Sequence, residues 1–96
     1  MKRQDIVSEV SKALDVRLAW RKDYGNGTMV TQYTLYYNRR ARKPLGWLEI
    51  GHTIYNDEVI GGADIITHRN GEQQENEIRN IENIEKIIAD LFGIKK

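Results

Sequence analysis

The stretch YYNRRARKPLGW, residues 36–47, sets four cations (Arg39, Arg40, Arg42 and Lys43) between aromatic side chains. These are residue types that grip nucleic acid, because cations follow the phosphates while bases stack on exposed rings. Two upstream arginines, Arg17 and Arg21, together with Tyr36 and Trp47, complete the candidate set. The same four charges also suit a solvated loop tip between two strands, since one loop makes few phosphate contacts. Tryptophan, tyrosine and arginine are equally the side chains that anchor protein interfaces, so a protein partner is the competing ligand and a second copy of the chain a third.

Other chemistry is sparse. The two histidines, His52 and His68, do not have a metal-ligand spacing. His52 shares parity with Leu48, Ile50 and Ile54, which predicts a hydrogen-bonded core residue rather than a ligand. Glu49 is expected to face Asp64 across neighbouring strands. Two facing carboxylates can share a proton or hold a divalent cation, although neutralising Lys or Arg neighbours are the commoner solution. The chain has no cysteine, which excludes disulfides, thiolate metal sites and cysteine nucleophiles. It also has no serine-nucleophile motif, and its IGGAD segment lacks the spacing of a phosphate-binding glycine loop. The expectation is a non-enzymatic binding protein with no catalytic residues, no cofactor and no metal.

Ninety-six residues, 40% hydrophobic and 30% charged, fit one soluble domain over residues 1–96. No apolar run approaches the ~20 residues of a membrane span, and the N-terminal stretch mixes charge into every turn. Both features point to a cytoplasmic protein with no membrane partner. Net charge is only +1, but it is unevenly divided. Residues 1–48 carry ten Lys/Arg against four acids, and residues 49–96 carry five against ten. Such asymmetry hints at a polar partner surface, or at two halves that attract each other.

The elements that must position these residues follow from periodicity. Ile6, Val7, Val10 and Leu14 give residues 3–14 one apolar helical face. Asn26-Gly27 is the dipeptide best suited to a two-residue hairpin turn, because both positions need positive φ. With that turn, Val16 faces Tyr37, Leu18 faces Leu35 and Trp20 faces Tyr33, while Arg17 and Arg21 fall on the opposite side. A second hairpin, residues 47–55 and 58–67 about Asn56-Asp57, pairs Ile54 with Val59, Ile50 with Ala63 and Leu48 with Ile65. Gly61-Gly62 within its second strand predicts a bulge or bend. Ile78, Ile81, Ile84, Ile88 and Leu91 then predict a closing helix that stops at Gly93, with its start either capped at Asn76 or preceded by polar turns back to Asn70. The predicted fold is α+β in the order α-β-β-β-β-α. It is a four-stranded antiparallel meander with both helices on one face and Arg17, Arg21, Tyr36, Trp47, Glu49, Thr53, Ile60, Asp64 and Ile66 on the open one.

Overall fold

The structure, a computed structural model, describes residues 1–94. Helix α1 (Arg3–Ser11) is followed by strands β1 (Asp15–Gly25), β2 (Thr28–Tyr36), β3 (Gly46–Thr53), β4 (Val59–Arg69) and β5 (Glu72–Glu77), and helix α2 (Glu82–Phe92) closes the chain. All five strands form one antiparallel sheet in chain order, β1-β2-β3-β4-β5. The predicted four-strand sheet is therefore corrected to five. The added strand, with the sequence EQQENE, has no apolar residue to alternate and so gives no period-two signal. What builds it is the turn before it. Asn70 and Gly71 have φ of 54° and 80°, the same left-handed pair as Asn26 (55°) and Gly27 (75°).

The extra strand also moves the start of the last helix. Ile78 lies between β5 and α2; its N–H donates to the Ala63 carbonyl at 2.8 Å and its side chain is buried. Gly93 ends α2 in the left-handed conformation (φ 67°), its N–H bonded to the Ala89 carbonyl at 2.9 Å.

In the first hairpin, Asn26-Gly27 is the turn and Gly25 faces Thr28, as the sequence predicts. Two register shifts then intervene, between Asp23 and Gly25 and between Leu18 and Trp20. Val16 faces Leu35, Leu18 faces Tyr33 and Trp20 faces Gln32. Each one-residue shift inverts the faces of the residues beyond it, and two restore them. Val16 and Leu18 thus keep the expected side, but the segment between the bulges is reversed. Trp20 turns to the open face, and Arg21, expected there, lies opposite Thr31 on the other.

The second hairpin keeps the predicted register from Trp47–Ile66 to Ile50–Ala63. The expected irregularity falls at Gly61 and Gly62, whose φ values are 79° and 115°. Beyond it His52 faces Val59, and the connection is wider than a two-residue turn. The Thr53 N–H reaches the Glu58 carbonyl at 2.8 Å, leaving Ile54 in the loop and exposed.

One cluster forms the core: Ile6 and Val10 of α1 and Ile84 and Ile88 of α2, with Tyr33, Leu35, Leu48, Ile50, Ala63 and Ile65 of the central strands. Cross-strand register puts those six sheet residues on a single face. Helical cover does not reach the outer part of β1, where Leu18 is 56% exposed.

Candidate binding surface

A meander turns sequence order into spatial order, so the uneven charge becomes a polarity across the sheet. The basic residues of β1 and of the β2–β3 loop lie toward one edge, while Glu72, Glu75 and Glu77 of β5 form the other.

The loop is organised by Asn38, whose Oδ1 accepts the N–H groups of Arg40 and Ala41, both at 2.9 Å. Leu45 closes it, its N–H bonded to the Leu35 carbonyl at 2.7 Å. Arg39, Arg40, Arg42 and Lys43 are all exposed. Among the described residues none of them makes an ion pair.

Arg17 is differently placed. Its Nε donates to Asp15 Oδ2 at 2.6 Å, its Nη2 to the Arg39 carbonyl at 3.1 Å, and its guanidinium sits 3.9 Å from the centre of the Tyr36 ring. Arg17 therefore ties strand, ring and loop together, and one face of Tyr36 is already occupied by a cation. Trp47 is half-buried and meets His68 edge-to-face, with 5.2 Å between ring centres and 87° between planes. Of the candidate residues, Arg17, Tyr36 and Trp47 share one end of the open face. The loop with its four cations lies beyond that end, its Arg39 also bordering a groove against the end of α1. Arg21 does not join them, because the bulge directs it to the opposite side. There it borders a cleft of about 210 Å³ with Arg3, His52 and Asp57.

The open face beyond Trp47 is acidic. Gln32, Glu49, Asp64 and Glu77 occupy successive positions of one row across β2 to β5, and Glu75 lies in the row with Trp47 and Ile66. Glu49 does face Asp64, but the expected basic neighbours are missing. Among the described residues neither carboxylate has an ion pair, and Glu49 accepts only Gln32 Nε2, at 3.2 Å. Partial burial, followed by the charges of Glu75, Glu77 and Glu49, pushes the Asp64 carboxyl above its ordinary range. No group of three or more His, Asp or Glu among the described residues is arranged to hold a metal ion.

His52 is buried, as its parity predicts. Its Nε2 lies 2.7 Å from the Thr31 hydroxyl and its Nδ1 3.1 Å from the Thr53 carbonyl, with Asp57 Oδ1 farther off at 3.7 Å. The order hydroxyl, imidazole, carboxylate has the outline of a nucleophile with its base. Thr31, however, has no exposed surface, and Asp57 is taken by Arg3 Nε at 2.7 Å and the Gln4 N–H at 3.0 Å. The cluster fastens the start of α1 to the β3–β4 connection. Its Thr31–His52 and Arg3–Asp57 contacts join residues 21 and 54 apart in sequence, so no local motif announces it.

Comparison of the chain with protein-family models, curated proteins and solved structures gives no match.

Proposed function

We propose that the protein is a non-enzymatic cytoplasmic binding module whose basic corner, Arg39, Arg40, Arg42 and Lys43 with Arg17 behind them, holds a nucleic-acid backbone. One observation carries the reading. The four loop cations are exposed and free of ion pairs among the described residues, and the meander keeps the acidic strand β5 at the far edge of the sheet. A field of one sign at a corner attracts a polyanion even when net charge is close to zero. Tyr36 and Trp47 already have Arg17 and His68 as partners. Stacking therefore contributes less than phosphate contact, and binding is indifferent to base sequence. Arg21 adds only to the long-range field.

Titrating the protein into labelled single-stranded and duplex DNA and RNA at several salt concentrations tests this. Four phosphate contacts to a single strand give a slope of about −3 in log K against log salt. Each of Arg39→Ala, Arg40→Ala and Arg42→Ala is expected to reduce that slope by about one. Absence of binding at low salt would refute the nucleic-acid reading and leave the loop as a solvated or protein-docking segment.

A further inference from the structure

Behind Trp47, on the same open face, the bulge at Gly61-Gly62 makes a second feature that the basic corner does not use. The bulge interrupts the β3–β4 ladder where Gly51 packs against the Ile60 backbone; a Cβ on Gly51 would collide with the Ile60 carbonyl. The gap is a cleft of about 170 Å³ lined by Val30, Glu49, Gly51, Ile60, Gly61, Gly62 and Asp64. It is too small for a cofactor or metabolite, whose pockets run to roughly 300–1,000 Å³. It is large enough for one extended side chain.

The lining specifies that side chain. Val30 and Ile60 supply apolar wall and Ile60 is exposed, while Glu49 and Asp64, in directly opposed register positions, supply negative charge. A long cationic side chain matches both, its methylene stem against the apolar wall and its head beside the carboxylates. The surroundings extend the match. Glu75 and Glu77 continue the negative charge across β5, and burial together with the charges of Glu75, Glu77 and Glu49 holds Asp64 above its ordinary range. Of these acids Glu77 alone has an ion pair among the described residues, with the exposed Arg79 at 3.8 Å. Helices cover the other face of the sheet, so this face is open to a partner.

We propose that the open face of β3, β4 and β5 is a docking surface for a basic, extended segment of a partner protein, with one arginine or lysine seated in the cleft between Glu49 and Asp64. Charge complementarity selects the occupant. A nucleic-acid strand would meet four carboxylates here, whereas a basic segment meets cations only at the margins of the surface, Lys22 across from Val30 on β1 and Arg79 beside Glu77. The two surfaces are separate and of opposite sign, so this inference stands whether or not the basic corner binds nucleic acid.

The test uses the full chain, isotopically labelled, and a synthetic peptide of about nine residues alternating arginine with valine or threonine. Two control peptides are measured beside it, one with norleucine for every arginine and one with glutamate. Amide shifts on titration are expected at Val30, Glu49, Gly51, Ile60–Gly62 and Asp64, with the basic peptide only. Glu49→Gln with Asp64→Asn is expected to weaken binding about ten-fold or more. These neutral amides remove a like-charge contact, so the fold survives them. Val30→Phe keeps every charge but fills the cleft, and should abolish the shifts at Gly61 and Gly62. Equal shifts with the norleucine peptide, shifts confined to other strands, no shifts, or binding indifferent to both variants would overturn the proposal.

Discussion

Two hairpins flank β3, and they share a turn and little else. Asn26-Gly27 and Asn70-Gly71 adopt nearly the same pair of positive φ angles. The hairpin on the first, β1–β2, is long, rich in aromatic and branched residues, basic and bulged twice. Its counterpart joins the apolar β4 to a six-residue strand of glutamates, glutamines and asparagine, with no register shift. The turn dipeptide, which asks only that both residues tolerate positive φ, is thus enough to fold the chain back on itself. Side-chain pattern decides something else, namely where the helices can cover. In each hairpin the inner strand carries the core (Tyr33 and Leu35, or Ala63 and Ile65) and the outer strand is an edge. The two edges are blunted differently. β5 is short and acidic, and β1 has cations and two bulges that interrupt a regular line of free backbone groups.

If inner and outer strands differ as described, truncating their side chains should separate them by the largest margin available. Leu35→Ala in β2 and Ile65→Ala in β4 remove fully buried side chains and should each cost about 2–5 kcal/mol in denaturant unfolding. Leu18→Ala, on the exposed outer strand, should cost less than about 1 kcal/mol, and Gln74→Ala in β5 should stay within about 0.5 kcal/mol. A Leu18→Ala cost equal to that of Leu35→Ala would show that something covers β1, and would break the comparison.

The shared turn sharpens it further. Valine at Gly27 or Gly71 must adopt φ near +75° or +80°, which costs a branched residue about 1–3 kcal/mol. A Cβ at Gly27 also meets the Tyr55 ring, but Tyr55 is 87% exposed and its far end can yield. At Gly71 nothing lies within 4 Å, so the strain there is purely conformational. Gly71→Val should free the amides of β5 to exchange with solvent while the core stays protected, because β5 contributes nothing to the buried cluster. Gly27→Val should instead lower global stability, because β2 belongs to that cluster. Loss of protection throughout the sheet in Gly71→Val would mean that β5 folds with the core.

These contrasts also explain which parts of the structure were legible in the sequence. Asn26-Gly27 stands between alternating apolar residues and is read at once. Asn70-Gly71 carries the same conformational signal, but EQQENE offers no alternation, and an acidic polar segment before an isoleucine stripe reads as a helix approach. The bulges left different traces. Gly61-Gly62 marks its own position, whereas Leu18-Ala19-Trp20 contains no glycine and a regular period-two reading fits it better than the truth. The segment between this shift and the one at Asp23–Gly25 is inverted, which moved Arg21 off the open face and put Trp20 on it. Around the candidate surface, the loop cations and Trp47 followed from type and position. The charge row Glu49–Asp64–Glu77 needed β5, and the Arg3–Asp57 and Thr31–His52 contacts needed the folded chain.

The smallest effect compares the open-face carboxylates of the two hairpins. Asp15 of β1 has Arg17 at 2.6 Å, whereas Asp64 of β4 has burial and three carboxylates against it. Asp15→Asn should therefore lose stability and Asp64→Asn gain it, each by less than about 1 kcal/mol, the range of exposed ion pairs and facing like charges. The gain at Asp64 has a defined pH dependence. The folded state holds this proton more tightly than the unfolded chain, whose value is near 3.8. The wild type accordingly loses stability as pH rises from that value through the raised folded one. An amide at this position does not titrate, so the advantage of Asp64→Asn should be full at neutral pH and vanish below about 3.8. Asp57→Asn provides the opposite sign. Burial works against the charged form of Asp57, but the hydrogen bonds from Arg3 and the Gln4 N–H outweigh it and lower its folded value. The penalty of Asp57→Asn should be present above 3.8 and shrink as pH falls through that lowered value. Urea unfolding of the wild type and these two variants at about pH 7 and about pH 3 measures both signs. An Asp64→Asn variant less stable than wild type at neutral pH would mean that a cation reaches this carboxylate in solution.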